Sequence, residues 1–419
     1  MSASSAPPVP QALPRRIARL AAMAAAARRR ILGLMSGTSL DGLDLALCDV
    51  TGHGRATRVQ VLAHDTRPYD AAQRARLRAL ASQEQVALAE LTLAHAWLAE
   101  LHAQAVLEAL ARWGVDVAGV DCIASHGQTV YHAPRGPHGL RATLQIGDGD
   151  RLARRTGLPV VSDFRQKELA AGGEGAPLAP YADALLFGDT AIPRLLLNLG
   201  GIANFTWLSA GRGTARVRYG DTGPANTLLD RVVRERLPRH AEGYDRDGAL
   251  AARGRTHAGL LAALKAHAYF RQPCPKSTGP ETFGADYLRA AQAAAGADHV
   301  SPADLLATLV RLTAETVADT LRAELPVTPG AEVLASGGGT HNRTLLAALR
   351  ETLEPVLPAA RWRDLAEFGV PGDAKEAVLF AVLANETLAG EGFDVPLGGD
   401  PRAVGAGAGV SFGKLSFPD

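Results

Sequence analysis

The sequence predicts an α/β protein built as two halves of like element order, and three observations carry that expectation. A meander of short apolar strands broken by glycine-rich turns opens at Ile31, and another opens at Arg194. Each meander gives way to strand–helix alternation, the pattern of layered α/β folds. The composition is that of a globular chain, with 47% hydrophobic and 21% charged residues among 419. At roughly 100–200 residues per domain that length suffices for two or more domains around large cores.

In the first half, strands are expected over 31–35, 43–50 and 58–64, helices over 71–82 and 88–113, strands over 121–125, 143–146 and 158–162, and a helix over 176–187. In the second, strands are expected over 195–199, 204–208 and 215–219, followed by helices over 226–234, 247–253 and 258–268. Ser301, Pro302 and Asp304 make a strong helix start: a capping hydroxyl, a proline in the first turn and a carboxylate near the positive end of the dipole. That helix should run to 325, before a strand over 332–335 and helices over 344–353 and 374–388. Residues 1–30, rich in Ala, Pro and Arg, read as a flexible extension or a short amphipathic arm, 31–190 as the first half and 191–419 as the second.

Several function classes are disfavoured at once. Lys and Arg number 44 against 43 Asp and Glu, so no global field would draw the chain to nucleic acid or a membrane surface. No apolar run reaches the roughly 18–20 residues of a membrane helix. Cys48, Cys122 and Cys274 form no CxxC pair, which argues against a disulfide scaffold or structural zinc and fits a cytoplasmic location. Gly409 to Gly413 spells GxSxG, but the last histidine is His341, too early for the chain order of a nucleophile elbow. The same stretch fails as a phosphate loop because Leu415 stands where Ser or Thr would meet a metal. Cys122, His126 and His132 match no familiar ligand spacing.

Three glycine-rich loops at predicted strand ends remain. In Gly33-Leu34-Met35-Ser36-Gly37-Thr38-Ser39-Leu40-Asp41-Gly42-Leu43-Asp44 the glycines allow close backbone approach, the hydroxyls can donate, and Asp41 and Asp44 could orient the waters of a magnesium ion. The loop suits a polyphosphate tail, and equally a polar hairpin built on Asx and Ser turns. Asp221-Thr222-Gly223-Pro224-Ala225-Asn226 places an acid at a strand–helix junction, suited to a base or to a helix cap. Ser336-Gly337-Gly338-Gly339 would let a flat adenine or ribose lie against backbone, or simply make a tight turn.

This order of loops resembles the actin/Hsp70/hexokinase ATPase fold, two duplicated ribonuclease-H-like halves with a nucleotide cleft between them. From 31 to 414 the chain further resembles the anhydro-N-acetylmuramic acid kinase family, on ten motifs in order: GLMSGTSLDGLD (33–44), SHGQTVYHAP (125–134), LQIGD (144–148), VVSDFR (160–165), AAGGEGAPL (170–178), NLGGIAN (198–204), DTGPAN (221–226), PKSTG (275–279), SGGGTHN (336–342) and DAKEA (373–377). The resemblance implies a phosphotransferase that opens the 1,6-anhydro ring of 1,6-anhydro-N-acetylmuramic acid with water and phosphorylates O6 from ATP, in peptidoglycan recycling.

By the same resemblance Gly37, Thr38, Ser39, Leu40, Asp41, Gly42, Leu43 and Asp44 would bind ATP, together with Gly223, Gly337, Gly338 and Gly339. Asp221 would be the base and Glu376 would hold sugar or water, while His126, Gln128, Asp163 and Arg165 would be sugar-side residues. Arg165 suits the lactyl carboxylate, since a guanidinium reads a carboxylate bidentately. Mg2+ is expected with ATP, its ligands left open. No nucleic-acid or membrane partner is implied, and a homodimer is compatible. Three departures from the family pattern stand out: Ala225 for a usual Gly, Glu174 for a usual Gln, and an altered turn at 403–407.

Overall fold

The computed structural model describes residues 14–133, 139–188, 191–211, 216–279, 281–390 and 411–418. Along the chain, helix α1 (Arg15–Ala25) precedes the meander β1 (Arg28–Ser36), β2 (Gly42–Thr51) and β3 (Arg58–Pro68). Helices α2 (Ala71–Leu80) and α3 (Leu88–Trp113), strands β4 (Cys122–Ala133) and β5 (Ala142–Ile146), α4 (Gly149–Thr156), β6 (Val160–Ser162), α5 (Gln166–Ala170) and α6 (Ala179–Phe187) follow. The second meander is β7 (Arg194–Leu199), β8 (Ile202–Leu208) and β9 (Val217–Pro224), then α7 (Asn226–Arg236), α8 (Ala258–Lys265), α9 (Ala285–Ala295) and α10 (Pro302–Glu324). The chain closes with β10 (Glu332–Ser336), α11 (Arg343–Leu353), β11 (Arg361–Arg363), α12 (Lys375–Ala389) and β12 (Lys414–Ser416).

The duplication is visible in the sheets. In the first, β6-β4-β1-β2-β3 are neighbours, with β1, β2 and β3 antiparallel and β4 and β6 parallel to β1 and to each other. In the second, β11-β10-β7-β8-β9 repeat that order and those directions. Two sheets sharing this five-strand order and polarity, the first extended by antiparallel β5 and β12, make two ribonuclease-H-like halves, so the fold class is the expected one.

Both faces of the first sheet are covered, and the sequence shows how. Leu32 and Leu34 of β1 point into a core with α3, whereas Ile31 on the other face joins a core built around α12. Gly33 sits on the α12 side, where a Cβ would lie 1.9 Å from the carbonyl oxygen of Ala377. Only glycine lets the helix approach that closely, and Glu376 is thereby held at the sheet's end. The same core takes Leu196, Leu208, Val217 and Leu334 from the second sheet, so α12 is also wedged between the halves. A separate core fills the outer face of the second sheet, with α7, α8, α10 and α11 over Leu195, Leu197 and Leu199.

Some elements differ from the sequence reading. Within 1–30, residues 15–25 are helical and the first strand begins at Arg28, because buried Arg29 donates to the carbonyls of Met23 (2.7 Å) and Ala24 (2.6 Å) and to Asn385 Oδ1 (3.0 Å). Within 191–419, α12 and β12 pack with the first sheet. The expected helix over 247–253 is two 3-10 turns, since Asp247 and Gly248 take φ of 57° and 71°. Helix α9 was not expected, although left-handed Gly296 ends it. The turn at 403–407 lies outside the described residues.

Candidate active site

A cleft of about 300 Å³ opens where the two sheets' ends meet. Gly37, Ser39, Asp41, Gly42, Asp44 and Thr66 line it from the first half, Asn198, Ser336, Gly337 and Gly338 from the second, Gly372 and Asp373 from the 3-10 turn before α12, and Lys375 and Glu376 from its first turn. Placing glycine-rich loops at strand ends is what an open α/β sheet does with a ligand site.

The hairpin turns on backbone. Leu40 N–H donates to the Gly37 carbonyl at 3.3 Å, and Leu40 itself is left-handed at φ 60°. Leu40 and Leu43 are 4% and 1% exposed, so their side chains belong to the core and only their peptide groups can serve a ligand. Thr38 is exposed beside the turn, Ser39 donates to Asp41, and Thr66 donates to Asp44 Oδ1 at 2.6 Å. Burial, then the charges of Asp41 and Asp373, push the Asp44 carboxyl up, opposed by the Thr66 bond.

Opposite, Gly337 has φ 83° and lies so near Asn198 and Leu199 that a Cβ would meet Asn198 Oδ1 at 2.6 Å. Gly339 is pressed against Leu199, while Gly338 leaves an open backbone face toward the cleft. The Ser336 hydroxyl is buried with no protein partner, a donor left for something in the cleft. Gly223 is buried against Phe270, where a Cβ would sit 2.7 Å from the ring, so it serves packing on the far side of its strand.

Asp221 does not line this cleft itself, and strand register relates it to two residues that do. Ser336 on β10 pairs with Asn198 on β7, Asn198 with Asn204 on β8, and Asn204 with Asp221 on β9. Paired residues present side chains on one face, so Asp221 stands on the face of two cleft-lining residues, two strands or roughly 10 Å from Asn198. Asp221 Oδ2 accepts from Thr278 N–H (2.8 Å) and Ser277 Oγ (3.2 Å), while its own N–H donates to the Lys276 carbonyl and its carbonyl accepts from Tyr269 Oη. Burial raises its carboxyl to about 6, against the pull of Thr278, Ser277 and Lys276.

The expected sugar-side residues divide. Arg165 Nε donates to His126 Nε2 at 3.1 Å and its Nη1 to the Gly175 carbonyl at 2.7 Å. Burial and the Arg165 charge hold His126 well below its ordinary range, so it is neutral and, accepting at Nε2, carries its proton on Nδ1. Burial lowers the Arg165 guanidinium to about 10 against the opposing charges of Glu168 and Glu376, so it stays charged near neutral pH. Glu376 is exposed to the cleft, where desolvation by the surrounding protein and then the charges of Asp44 and Asp41 raise its carboxyl, against Lys375 and Arg165. Asp163 instead pairs with Lys414, and Gln128 is 0% exposed with both ends of its amide bonded inside the protein. Gln128 therefore has no amide end left for a sugar, whereas Asp163 spends only Oδ2 on Lys414 and is partly exposed.

Sequence reasoning did not single out Asn198 or Lys375, though NLGGIAN and DAKEA contain them, nor Thr66, which only the pairing of β2 with β3 brings to Asp44. Lys375 is held by buried Asp183 at 3.1 Å. Among the described residues no group of three or more His, Cys, Asp or Glu could hold a metal ion, and no helix is long and apolar enough to cross a membrane.

The family model for anhydro-N-acetylmuramic acid kinase matches residues 29–417. A relative with that name from Pseudoalteromonas atlantica is 44% identical over 396 residues, covering 93% of this chain and 96% of its own length. One from Salinibacter ruber is 41% identical over 399 residues, covering 93% and 97%. Among solved structures, the activator of the 2-hydroxyisocaproyl-CoA dehydratase from Clostridium difficile with bound ADPNP aligns at a TM-score of 0.42 and 10% identity, over 86% of this chain and 95% of that one.

Proposed function

The chain belongs to the anhydro-N-acetylmuramic acid kinase family, and from that premise we propose that its cleft binds ATP across the two halves and 1,6-anhydro-N-acetylmuramic acid beside Asp221. The observation that carries this reading is the strand-register row Ser336–Asn198–Asn204–Asp221, which sets a carboxylate of raised basicity on the face of the cleft-lining loops.

Asp221 takes a proton from a water molecule as the water oxygen bonds to the anomeric carbon C1 of the sugar. The C1–O6 bond breaks, and the electron pair left on O6 attacks the γ-phosphorus. The bond from that phosphorus to the β–γ bridging oxygen breaks, and ADP departs with N-acetylmuramic acid 6-phosphate left behind. Held by Thr278 and Ser277 at Oδ2, the carboxylate keeps Oδ1 for the water. The hairpin and the Gly337–Gly338 backbone cradle phosphate and nucleoside, and buried Ser336 supplies a hydroxyl without another partner. Arg165, positioned by His126 and Gly175, presents positive charge to the sugar's lactyl carboxylate, and Glu376 faces the same side.

The residues present fit magnesium. Asp41 and Asp44 are oxygen donors on the hairpin, burial and then the Asp41 charge raise Asp44, and magnesium bound with a triphosphate needs only one or two protein carboxylates. Asp41 and Asp44 would hold it, and when bound it neutralises phosphate charge. The reading also places the enzyme in the cytoplasm, with its substrates.

ADP release tests the substrate: 1,6-anhydro-N-acetylmuramic acid should support turnover, and N-acetylglucosamine and N-acetylmuramic acid should not. In oxygen-18 water the label should appear at C1 of the product. Unlabelled product would replace this reading with simple hydroxyl phosphorylation.

A further inference from the structure

We propose that Tyr69, through a one-way chain of buried hydrogen bonds beginning at His102, clamps both ends of the Gly37–Asp41 turn and so sets the shape of the phosphate hairpin, with Gln128 as the last link rather than a sugar contact. The inference rests on the reading of that hairpin as the phosphate site.

Four side chains from four elements meet under the hairpin: Ser36 at the end of β1, Tyr69 just after β3, His102 on α3 and Gln128 on β4. All are at most 3% exposed. Tyr69 Oη lies 2.9 Å from Ser36 Oγ and 2.9 Å from His102 Nε2, and Ser36 Oγ lies 2.6 Å from Gln128 Oε1. Gln128 Nε2 reaches the carbonyls of Gly37 (3.2 Å) and Thr129 (3.3 Å).

Counting protons leaves one arrangement. Two carbonyls facing one end of the Gln128 amide require its NH₂ there, so the other end is the oxygen, which only accepts. Ser36 therefore spends its single proton on Gln128. Tyr69 must then donate to Ser36, and its oxygen must accept from His102, whose proton accordingly sits on Nε2. Burial lowers His102 to about 3, so the ring is neutral and supplies that one N–H. The chain runs His102 → Tyr69 → Ser36 → Gln128 → Gly37 carbonyl, with no link able to reverse without stranding a buried group.

The backbone of the same tyrosine completes the clamp. Tyr69 N–H donates to the Asp41 carbonyl at 2.9 Å, so one residue holds the turn's far end directly and its near end through three side chains. Leu40, held left-handed and buried between those anchors, is the part of the turn with most to lose if either slips. Tyr69 and His102 are thus positioning residues, acting on ATP through Gly37 without touching it.

The test compares ATP affinity of the full-length protein by calorimetry for wild type and for Tyr69→Phe, His102→Leu, His102→Gln and Gly37→Val, with the sugar's KM and thermal midpoint alongside. Tyr69→Phe and His102→Leu should weaken ATP roughly tenfold while moving the sugar KM less than about twofold, and His102→Gln, which keeps a donor near Nε2, should recover most of the loss. Nitrogen-15 shifts of His102 at pH 7 should show the neutral Nε2–H tautomer, a readout that needs no nucleotide. If Gly37→Val weakens ATP but Tyr69→Phe and His102→Leu do not, or if His102 carries its proton on Nδ1, the clamp is refuted and the function stands. If wild type binds no ATP, or Gly37→Val leaves affinity unchanged, the phosphate hairpin itself is refuted. A lowered thermal midpoint with unchanged ATP affinity in both variants would mark the chain as merely structural and overturn the proposal.

Discussion

If Asp221 takes the proton from water, turnover must follow its titration, and the structure says where. Burial lifts the carboxyl from an ordinary 3.8 to about 6. The base works only when ionised, so kcat/KM should be level above pH 7 and fall as pH drops through 6, leaving about a tenth at pH 5. Asp221→Asn should lower kcat about 10²–10⁴-fold, with ATP affinity nearly unchanged. Ser277→Ala removes a donor that favours the ionised form, so its acid limb should move to higher pH. The same shift makes a stability claim of fixed sign. A carboxyl whose folded value lies above its unfolded one binds protons better when folded, so its ionisation costs stability above pH 6, and the cost fades between pH 6 and 3.8. Asp221→Asn should therefore stabilise the protein at pH 8 relative to pH 4, by a difference on the order of 2–3 kcal/mol in urea titrations. A rate profile flat from pH 7 to 5, or an Asn variant keeping more than a tenth of wild-type kcat, would remove Asp221 from the reaction.

Other consequences are local. Gly33→Ala sets a methyl 1.9 Å from the Ala377 carbonyl and must push α12 off β1, so urea titration should show a loss of roughly 3 kcal/mol or more, and a loss below 1 would refute the close packing. Gly337→Ala combines a left-handed φ of 83° with a clash against Asn198 and Leu199, and should weaken ATP binding about tenfold or more by calorimetry while the sugar KM holds. Arg29→Ala leaves the carbonyls of Met23 and Ala24 and the Asn385 amide without their cation, which should cost about 2–4 kcal/mol and open residues 15–25 to limited proteolysis.

What could be read from sequence, and what could not, follows from the range of the forces involved. The meanders and long helices were legible because alternation and 3.6-residue periodicity are local: 88–113 is α3 as expected, and Ser301 caps α10 by accepting from Asp304 N–H as its residue types foretold. The loops were legible because glycine leaves a mark wherever backbone must pass close to something, although the mark is silent about what passes. Gly33 looked like part of a nucleotide loop and in fact admits a helix from the far end of the chain, and Gly223 admits the Phe270 ring. Gln128 shows the same limit for a polar group. Its residue type suits a sugar, but whether an amide faces ligand or protein depends on partners 92 residues away at Ser36 and 91 away at Gly37. Asp221 comes onto the sheet face of Asn198 and Ser336 only through the pairing of four strands, which its own loop motif does not reveal. A motif thus names the chemistry a loop can do, while tertiary pairing decides which of its atoms remain free to do it, and the titration of Asp221 and the tautomer of His102 are where those two kinds of information can be measured separately.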